Sequence, residues 1–503
     1  MNKELEKLEQ LKAHVARAVD LMHASAVLAW DQEVNMPDGG VDGRSEQLST
    51  LSSMAHEIVT SEETGAMLEE AEAEVEGMDY DSDEASLVRV MRREYDKRTK
   101  IPTELVVRQS RASSQAFVAW RKAREAKDYA QFEPHLEEIV DIQREKADYL
   151  GYEDHPYDAL LDQFEPGVTT AQVEALFSDL KDGLVPLTQE IADQTQVDDA
   201  FLTETYDTDR QWEFTLLLLR DIGYDFNRGR QDKAPHPFTT EFSAGDVRVT
   251  TRVNPNRPQA AIFGSTHEGG HALYEQGSPE KFERTVLAGG ATLGLHESQS
   301  RLWENQVARS LPFWSYYYPI LRAFFPEPLA GVSLEAFYRA VNKVEPSFIR
   351  VEADEVTYNQ HIFVRFELEK SLVTGDLDVG DVPEAWNAKY EEYLGITPPD
   401  DALGCLQDVH WSHATIGYFP TYTLGNLMSA QIFAQATEDL TGLESGFAKA
   451  EFAPLLDWLR EKVHGHGGKF TAPELMEREF GQSLSAQPLL DYLRTKYTEI
   501  YDL

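Results

Sequence analysis

Apolar residues recur at three- and four-residue steps through most of this chain, and that period admits helices and little else. Leu5, Leu8, Leu11, Val15, Val19 and Met22, with mostly polar or charged residues between them, predict one long helix over 3–30, ended by Met36-Pro37-Asp38-Gly39-Gly40. The same period returns over about 44–58, 85–99, 103–126, 130–149, 170–194 and 209–223, and again over about 258–276, 292–310, 333–343, 358–374, 383–394, 422–437, 451–463 and 484–498. One stretch breaks it. Between His236 and Val253, the residues Val247, Val249, Thr251 and Val253 alternate with Arg248, Thr250 and Arg252 beyond the turn Ser243-Ala244-Gly245, which predicts a β-hairpin. The fold class is therefore mainly α with one small β element. No repeat, linker or compositional break divides the 503 residues, so one continuous domain is expected, with a helical part over 1–230 and a second part over 231–503.

Against 46 Lys and Arg stand 88 Asp and Glu, a formal charge of −42. Such a surface repels phosphate backbones and anionic membranes, so neither nucleic acid nor membrane is an expected partner. The acids are spread along the chain, as in Glu69 to Glu76 and Asp79 to Glu84, and read as a solvated carboxylate surface suited to high salt. The single cysteine, Cys405, excludes an intrachain disulfide and a thiolate metal cluster, and reads as a small buried hydrophobe. With no apolar run of signal-peptide or membrane-spanning length, a cytoplasmic location is expected.

The residues that carry chemistry are His267-Glu268-Gly269-Gly270-His271. On a helix, four residues advance by about 400°, so both imidazoles reach one metal ion while Glu268 projects about 100° to the side, where a general base belongs. Two consecutive glycines cost a helix interior about 1 kcal/mol each relative to alanine, so something must need close backbone approach there. Flanking Ile262, Phe263, Ala272 and Leu273 put this helix in the core. A catalytic zinc site needs a third protein ligand and an open position. The extended pattern with a third histidine fails, because Tyr274 and Gly277 occupy its Gly and His positions; Glu297, in His296-Glu297-Ser298-Gln299 on the next helix, is the candidate ligand.

At this point the sequence resembles the thermostable carboxypeptidase Taq family of metallocarboxypeptidases. The resemblance rests on His236-Pro237-Phe238, Asp246 to Thr250, the His267 to His271 motif, His296 to Arg301, Ile349-Arg350 through Ala353-Asp354-Glu355 to His361-Ile362, and Gly404 to Trp411, with Trp30 to Pro37 near the N-terminus. It implies a long-helix fold similar to neurolysin and angiotensin-converting enzyme with a deep groove, and commonly a homodimer. It also implies a Zn²⁺-dependent carboxypeptidase acting on peptides with a free C-terminus, with His267, His271 and Glu297 as ligands and Glu268 as general base. Co²⁺ suits a His₂Glu site as well.

An enzyme that trims C-termini must recognise a carboxylate, which an arginine fork matches well. Arg350 is the first candidate, against a structural salt bridge to Asp354 or Glu355; Arg248 on the hairpin is the second. His236 and the following strand could hold the peptide backbone, or His236 could be a buried structural residue. His410, Tyr418 and Tyr422 are candidate donors to a developing oxyanion, Tyr422 slightly ahead, against ordinary core roles. Asp354 and His296 are candidates for orienting the ligands. The alternatives are an oligopeptidase of the same fold that cuts internally and a noncatalytic metal- or peptide-binding protein.

Overall fold

A computed structural model describes residues 5–503; residues 3 and 4 of the expected first helix lie outside them. The chain forms two compact units and passes between them repeatedly. One runs to Thr99 and takes in Asp199–Val341 and Ile432–Gln482; the other comprises Lys100–Asp198, Asn342–Gln431 and Ser483–Leu503.

In the first unit, the long N-terminal helix spans Glu6–Val34. Its predicted stripe is the core face: Leu8, Leu11, Val15 and Val19 are buried with Leu68 and Ala71 of helix Glu62–Val75 and with Leu87, Val88 and Met91. Met22, at 41% exposure, falls beyond the end of that packing. Helix Glu62–Val75 was hidden in the sequence by its glutamates. Ser61 caps it by accepting from the Thr64 backbone N–H, and Glu74 accepts from the backbone N–H groups of Lys7 and Leu8, a carboxylate at a helix N-terminus where the dipole favours it.

The expected hairpin is present as β2 (Thr239–Ser243) and β3 (Asp246–Thr251), and a third strand that the sequence pattern did not announce, β1 (Gln231–Lys233), pairs parallel to β3. The order is β1-β3-β2, so β2 is an outer strand. Val247 and Val249 of the central strand are fully buried. The sheet packs on helix Pro258–Gln276, tied to it by the Ser265 hydroxyl donating to Thr251 Oγ1 at 2.8 Å.

The second unit is built on helices Thr103–Ala126, Glu133–Leu150, Thr170–Ala192, Tyr358–Thr374, Val382–Leu394 and Gln487–Tyr501. Tyr358–Thr374 is buried on nearly every side. Within it, the fully buried Glu369 accepts from the Tyr157 hydroxyl at 2.6 Å, Trp411 Nε1 at 2.9 Å and the Gly417 N–H at 3.0 Å. Among the described residues, no helix is long and apolar enough to cross a membrane.

Other helices besides Glu62–Val75 escaped the period, two of them for opposite reasons. Leu311–Phe324 is apolar over most of its length and carries Pro319 inside it, whereas Ala472–Phe480 is short and betrayed only by the Thr471–Glu474 capping box. The expected helix over 292–310 is instead an α-helix, Leu293–Arg301, followed by a π-helix, Leu302–Val307. Widened turns of this kind occur mostly at functional sites.

Candidate active site

Helix Pro258–Gln276 starts on a proline, whose missing N–H costs nothing at that position, and buries Ile262, Phe263, Ala272 and Leu273 as the sequence required. Its two glycines face two neighbours. A Cβ on Gly269 would stand 2.7 Å from Leu219 Cδ2, and one on Gly270 would stand 2.6 Å from both Gln299 O and Ser300 Cα. Gly270 therefore lets the backbone of helix Leu293–Arg301 lie directly against the histidine helix, and that approach carries Glu297 to the imidazoles.

His267 Nε2 and His271 Nε2 lie 3.5 and 3.4 Å from the same oxygen, Glu297 Oε2. With bonds of about 2.0–2.1 Å, tetrahedral ligands stand about 3.3–3.4 Å apart, so the three atoms fit one divalent ion. Burial drives the His271 imidazole down to about 3, which leaves its ring neutral and able to ligate. Burial alone raises the Glu297 carboxyl, but the Arg301 guanidinium and the two imidazoles outweigh it and hold it well below its usual range.

Each of these three side chains has a partner behind it. Arg301 Nε donates to Glu297 Oε1 at 2.6 Å, which leaves Oε2 as the oxygen facing the histidines. His267 Nδ1 is 2.9 Å from Glu304 Oε2 in the π-helix, and Glu304 also accepts from Arg301 Nη1 at 3.3 Å and Arg309 Nη2 at 3.2 Å. Although burial opposes it, these cations and His267 hold the Glu304 carboxyl down to about 2. His271 Nδ1 meets His296. Glu268, on the same helix, is not among the three; its Oε2 accepts from the Thr239 hydroxyl of β2 at 2.7 Å, and burial raises its pKa.

The hairpin residues have distinct environments. His236 is exposed, which removes the reading of a buried structural histidine, and precedes the outer strand β2. Arg248 grips Asp246 with Nε at 2.9 Å and Nη2 at 2.8 Å, and lies flat over the Trp30 ring at 4.4 Å.

The other candidates lie together in the second unit. Arg350 is 4% exposed and makes no contact with Asp354 or Glu355 of the kind considered from sequence. Its Nε and Nη2 donate to Asp408 Oδ1 at 3.1 and 2.8 Å and its Nη1 to the Tyr358 hydroxyl at 2.8 Å. Arg365 Nε donates to the other oxygen of Asp408 at 2.6 Å. Two guanidiniums thus share one carboxylate, which burial would raise but which they hold far below its usual range. Beside Arg350, its guanidinium 4.8 Å from the Tyr422 ring, Tyr422 OH is 3.3 Å from His410 Nε2, and Tyr418 packs on both rings. Burial takes His410 down to about 4, so it is neutral near pH 7.

Asp354 accepts from the N–H groups of Val356 and Thr357 ahead of helix Tyr358–Thr374, and from Glu345 N. Its role is to cap, not to orient a metal ligand. Glu355 is engaged by Lys496, Tyr492 and Tyr497. Cys405 is buried, and burial pushes its thiol up, as a small core residue requires.

The model of the carboxypeptidase Taq (M32) metallopeptidase family matches residues 10–497. The chain belongs to that family. Thermostable carboxypeptidase 1 of Thermus thermophilus is 44% identical over 491 residues, 96% of each chain, and carboxypeptidase 1 of Bacillus subtilis 40% identical over 490 residues, 97% of this chain and 96% of that one. Among solved structures, an M32 carboxypeptidase from Deinococcus radiodurans superposes with a TM-score of 0.96 at 42% identity, covering 99% of this chain and all of that one. The Pyrococcus furiosus carboxypeptidase superposes with a TM-score of 0.95 at 40% identity, over 98% and 99% of the two chains. The protein is thus a metallocarboxypeptidase with the mainly α, neurolysin-like fold of its family. It hydrolyses peptides, and a divalent metal is part of that chemistry.

Sequence reasoning named the three candidate ligands and Glu268 but missed Arg301, Glu304 and Thr239. Arg301 and Glu304 had a signal available: they stand four and seven residues after Glu297, on its helix face. Thr239 had none, because its approach to Glu268 is set by how the sheet packs on the helix.

Proposed function

We propose that His267, His271 and Glu297 hold Zn²⁺ and that Glu268 is the general base of this carboxypeptidase. The observation that carries the reading is the spacing of the two Nε2 atoms from Glu297 Oε2, 3.5 and 3.4 Å. Two imidazoles and a carboxylate suit zinc, with Co²⁺ as a working substitute. Zinc bound there supplies a Lewis acid that polarises the scissile carbonyl and makes water acidic enough to attack near neutral pH. Glu268 takes the proton from that water on its carboxylate and delivers it to the leaving amine. The Thr239 hydroxyl fixes which way the carboxylate points. Arg350 anchors the substrate's terminal carboxylate: with Arg365 and Asp408 it forms a buried group of net charge +1, and an incoming carboxylate neutralises it. Arg248 and His236 bind the peptide chain along β2, whose outer edge suits an added strand. Tyr422 and His410 donate to the developing oxyanion, with Tyr418 packing them in place and contacting substrate.

The enzyme works as a homodimer in the cytoplasm at high salt, without nucleic-acid or membrane partners. The charge of −42 supports high salt and argues against nucleic-acid and membrane partners, the single cysteine supports a reducing compartment, and family resemblance supports the homodimer. The deciding experiment is mass spectrometry of a peptide with a free C-terminus incubated with the protein in molar KCl, alongside chelated protein and Glu268→Gln. A ladder of single C-terminal losses, absent from both controls while Glu268→Gln still binds stoichiometric zinc, is expected. Internal fragments, or a Glu268→Gln variant of wild-type rate, would overturn the assignment.

A further inference from the structure

Behind His271 lie two side chains, His296 and Glu275, that the reaction above does not use. His271 Nδ1 and His296 Nδ1 are 2.6 Å apart, and His296 Nε2 is 2.5 Å from Glu275 Oε1. Glu275 is 5% exposed and stands one helical turn beyond His271 on the same helix, while His296 precedes the ligand Glu297 on the next. A glycine pair packs against Glu275 and His296. A Cβ on Gly289, which has φ +80°, would stand 2.8 Å from Glu275 Oε2, and one on Gly290 would stand 2.6 Å from His296 Cδ2. Tyr274 packs on the His296 ring, with the two ring centres 5.1 Å apart.

Two imidazole nitrogens at that distance share one proton, so one donates and the other accepts. A neutral His271 that binds metal through Nε2 carries its proton on Nδ1 and must donate. His296 must then accept on Nδ1 and carry its own proton on Nε2, where it is donated to Glu275. Glu275 Oε1, 2.5 Å from that nitrogen, is placed to accept it.

We infer that Glu275 is a positioning residue that fixes the tautomer of His296 and, through it, the nitrogen that His271 presents to the metal. The inference rests on the ligand set proposed above. It gives the two metal histidines unlike supports: His267 is backed directly by the carboxylate of Glu304, His271 by a neutral ring with a carboxylate one step further out. Partners of metal-bound histidines typically contribute about 10–100-fold to metal affinity.

The substitution that tests it is Glu275→Gln. An amide can turn an N–H toward His296 Nε2, which moves the His296 proton to Nδ1, against the proton of His271. Zinc affinity, measured by competition with a chelator in molar KCl, is expected to fall about 10–100-fold, while Glu275→Asp, which keeps the carboxylate, recovers most of it. In zinc-loaded wild-type protein with ¹⁵N-labelled histidine, His296 is expected as the Nε2–H tautomer, and in Glu275→Gln as Nδ1–H or a mixture. Zinc affinity of Glu275→Gln within twofold of wild type overturns the inference, and so does an Nδ1–H tautomer at His296 in the wild-type protein, a measurement that needs no variant to fold. His267→Ala separates the two levels: if it binds zinc as the wild type does, the ligand set itself is wrong.

Discussion

Replacing Gly270 by alanine tests whether the meeting of two helices sets the geometry of the metal site. The added Cβ would lie 2.6 Å from Gln299 O and from Ser300 Cα, both backbone atoms, so no side-chain rotation can relieve it. Restoring an ordinary contact of about 3.4 Å moves helix Leu293–Arg301 away by about 0.8 Å, and Glu297 sits in that helix. Metal–ligand distances tolerate about 0.2 Å, so a shift four times larger takes Glu297 Oε2 out of reach of an ion held by the two histidines. Overpacking costs about 1–3 kcal/mol, and the better helix propensity of alanine returns about 1 kcal/mol. The folded state therefore survives while the site does not. Metal affinity by chelator competition should fall at least tenfold and kcat/KM by about 100-fold, with urea unfolding of the metal-free protein shifted by no more than about 2 kcal/mol. Gly269→Ala is the matched control, because its Cβ meets only the movable tips of Leu219 and Ile222. Wild-type metal affinity in Gly270→Ala, or an equal loss in Gly269→Ala, would refute the argument.

Three further outcomes follow, two from buried charge and one from the charge of the surface. Asp408→Ala leaves Arg350 and Arg365 buried without their shared anion, and should destabilise the protein by about 3–5 kcal/mol in urea unfolding; a change under 1 kcal/mol would mean that the two guanidiniums find other partners. Glu369 is raised by burial from 4.5 to about 7 in spite of its three donors, so the folded chain holds a proton there that the unfolded chain has released. Its contribution to stability is fully present below pH 4.5 and lost as pH rises through 7, on the order of 3 kcal/mol. Glu369→Gln cannot ionise, so the stability of the wild type relative to this variant should fall by that amount between pH 4.5 and 8; a constant difference would place the carboxyl's pKa near its usual value. KM for a peptide with a free C-terminus should fall as KCl rises from 0.1 M toward 1 M, over the range in which circular dichroism reports a folded protein, because the Debye length shrinks from about 10 Å to about 3 Å. A KM that rises with salt would assign the larger effect to screening of the arginine anchor.

How much of this was legible in the sequence depends on how local the cause was. Helices Thr103–Ala126, Pro258–Gln276 and Tyr358–Thr374 match the expected limits at both ends, since period and end signals coincide there. β1 was not legible, because three residues with no alternation become a strand only when β3 lies beside them. The two histidines and Glu268 were named from helical spacing together with the family resemblance, and the glycines between them announced a close approach without saying to what. The partner of Arg350 could not be read locally: Asp354 and Glu355 are nearer in sequence, but Asp354 is committed to a helix start and Glu355 to Lys496, which leaves Asp408, 58 residues away, to hold the guanidinium.

The opposed charges of surface and interior explain why the acidic composition does not reach the candidate site. A carboxylate in water contributes little by itself, and the exposed majority of the chain's 88 acidic residues are neutralised by counterions as the salt rises. Buried carboxylates have no such relief and need donors or cations of their own: in the first unit Glu297 has Arg301 and Glu304 has Arg301 and Arg309, and in the second Asp408 has Arg350 and Arg365. Arg301 serves both Glu297 and Glu304, so one guanidinium ties the carboxylate proposed to bind the metal to the carboxylate behind His267. An excess of surface acid can therefore accumulate without altering the chemistry, because the groups that set it answer to fixed partners a few ångströms away and not to the net charge of the chain.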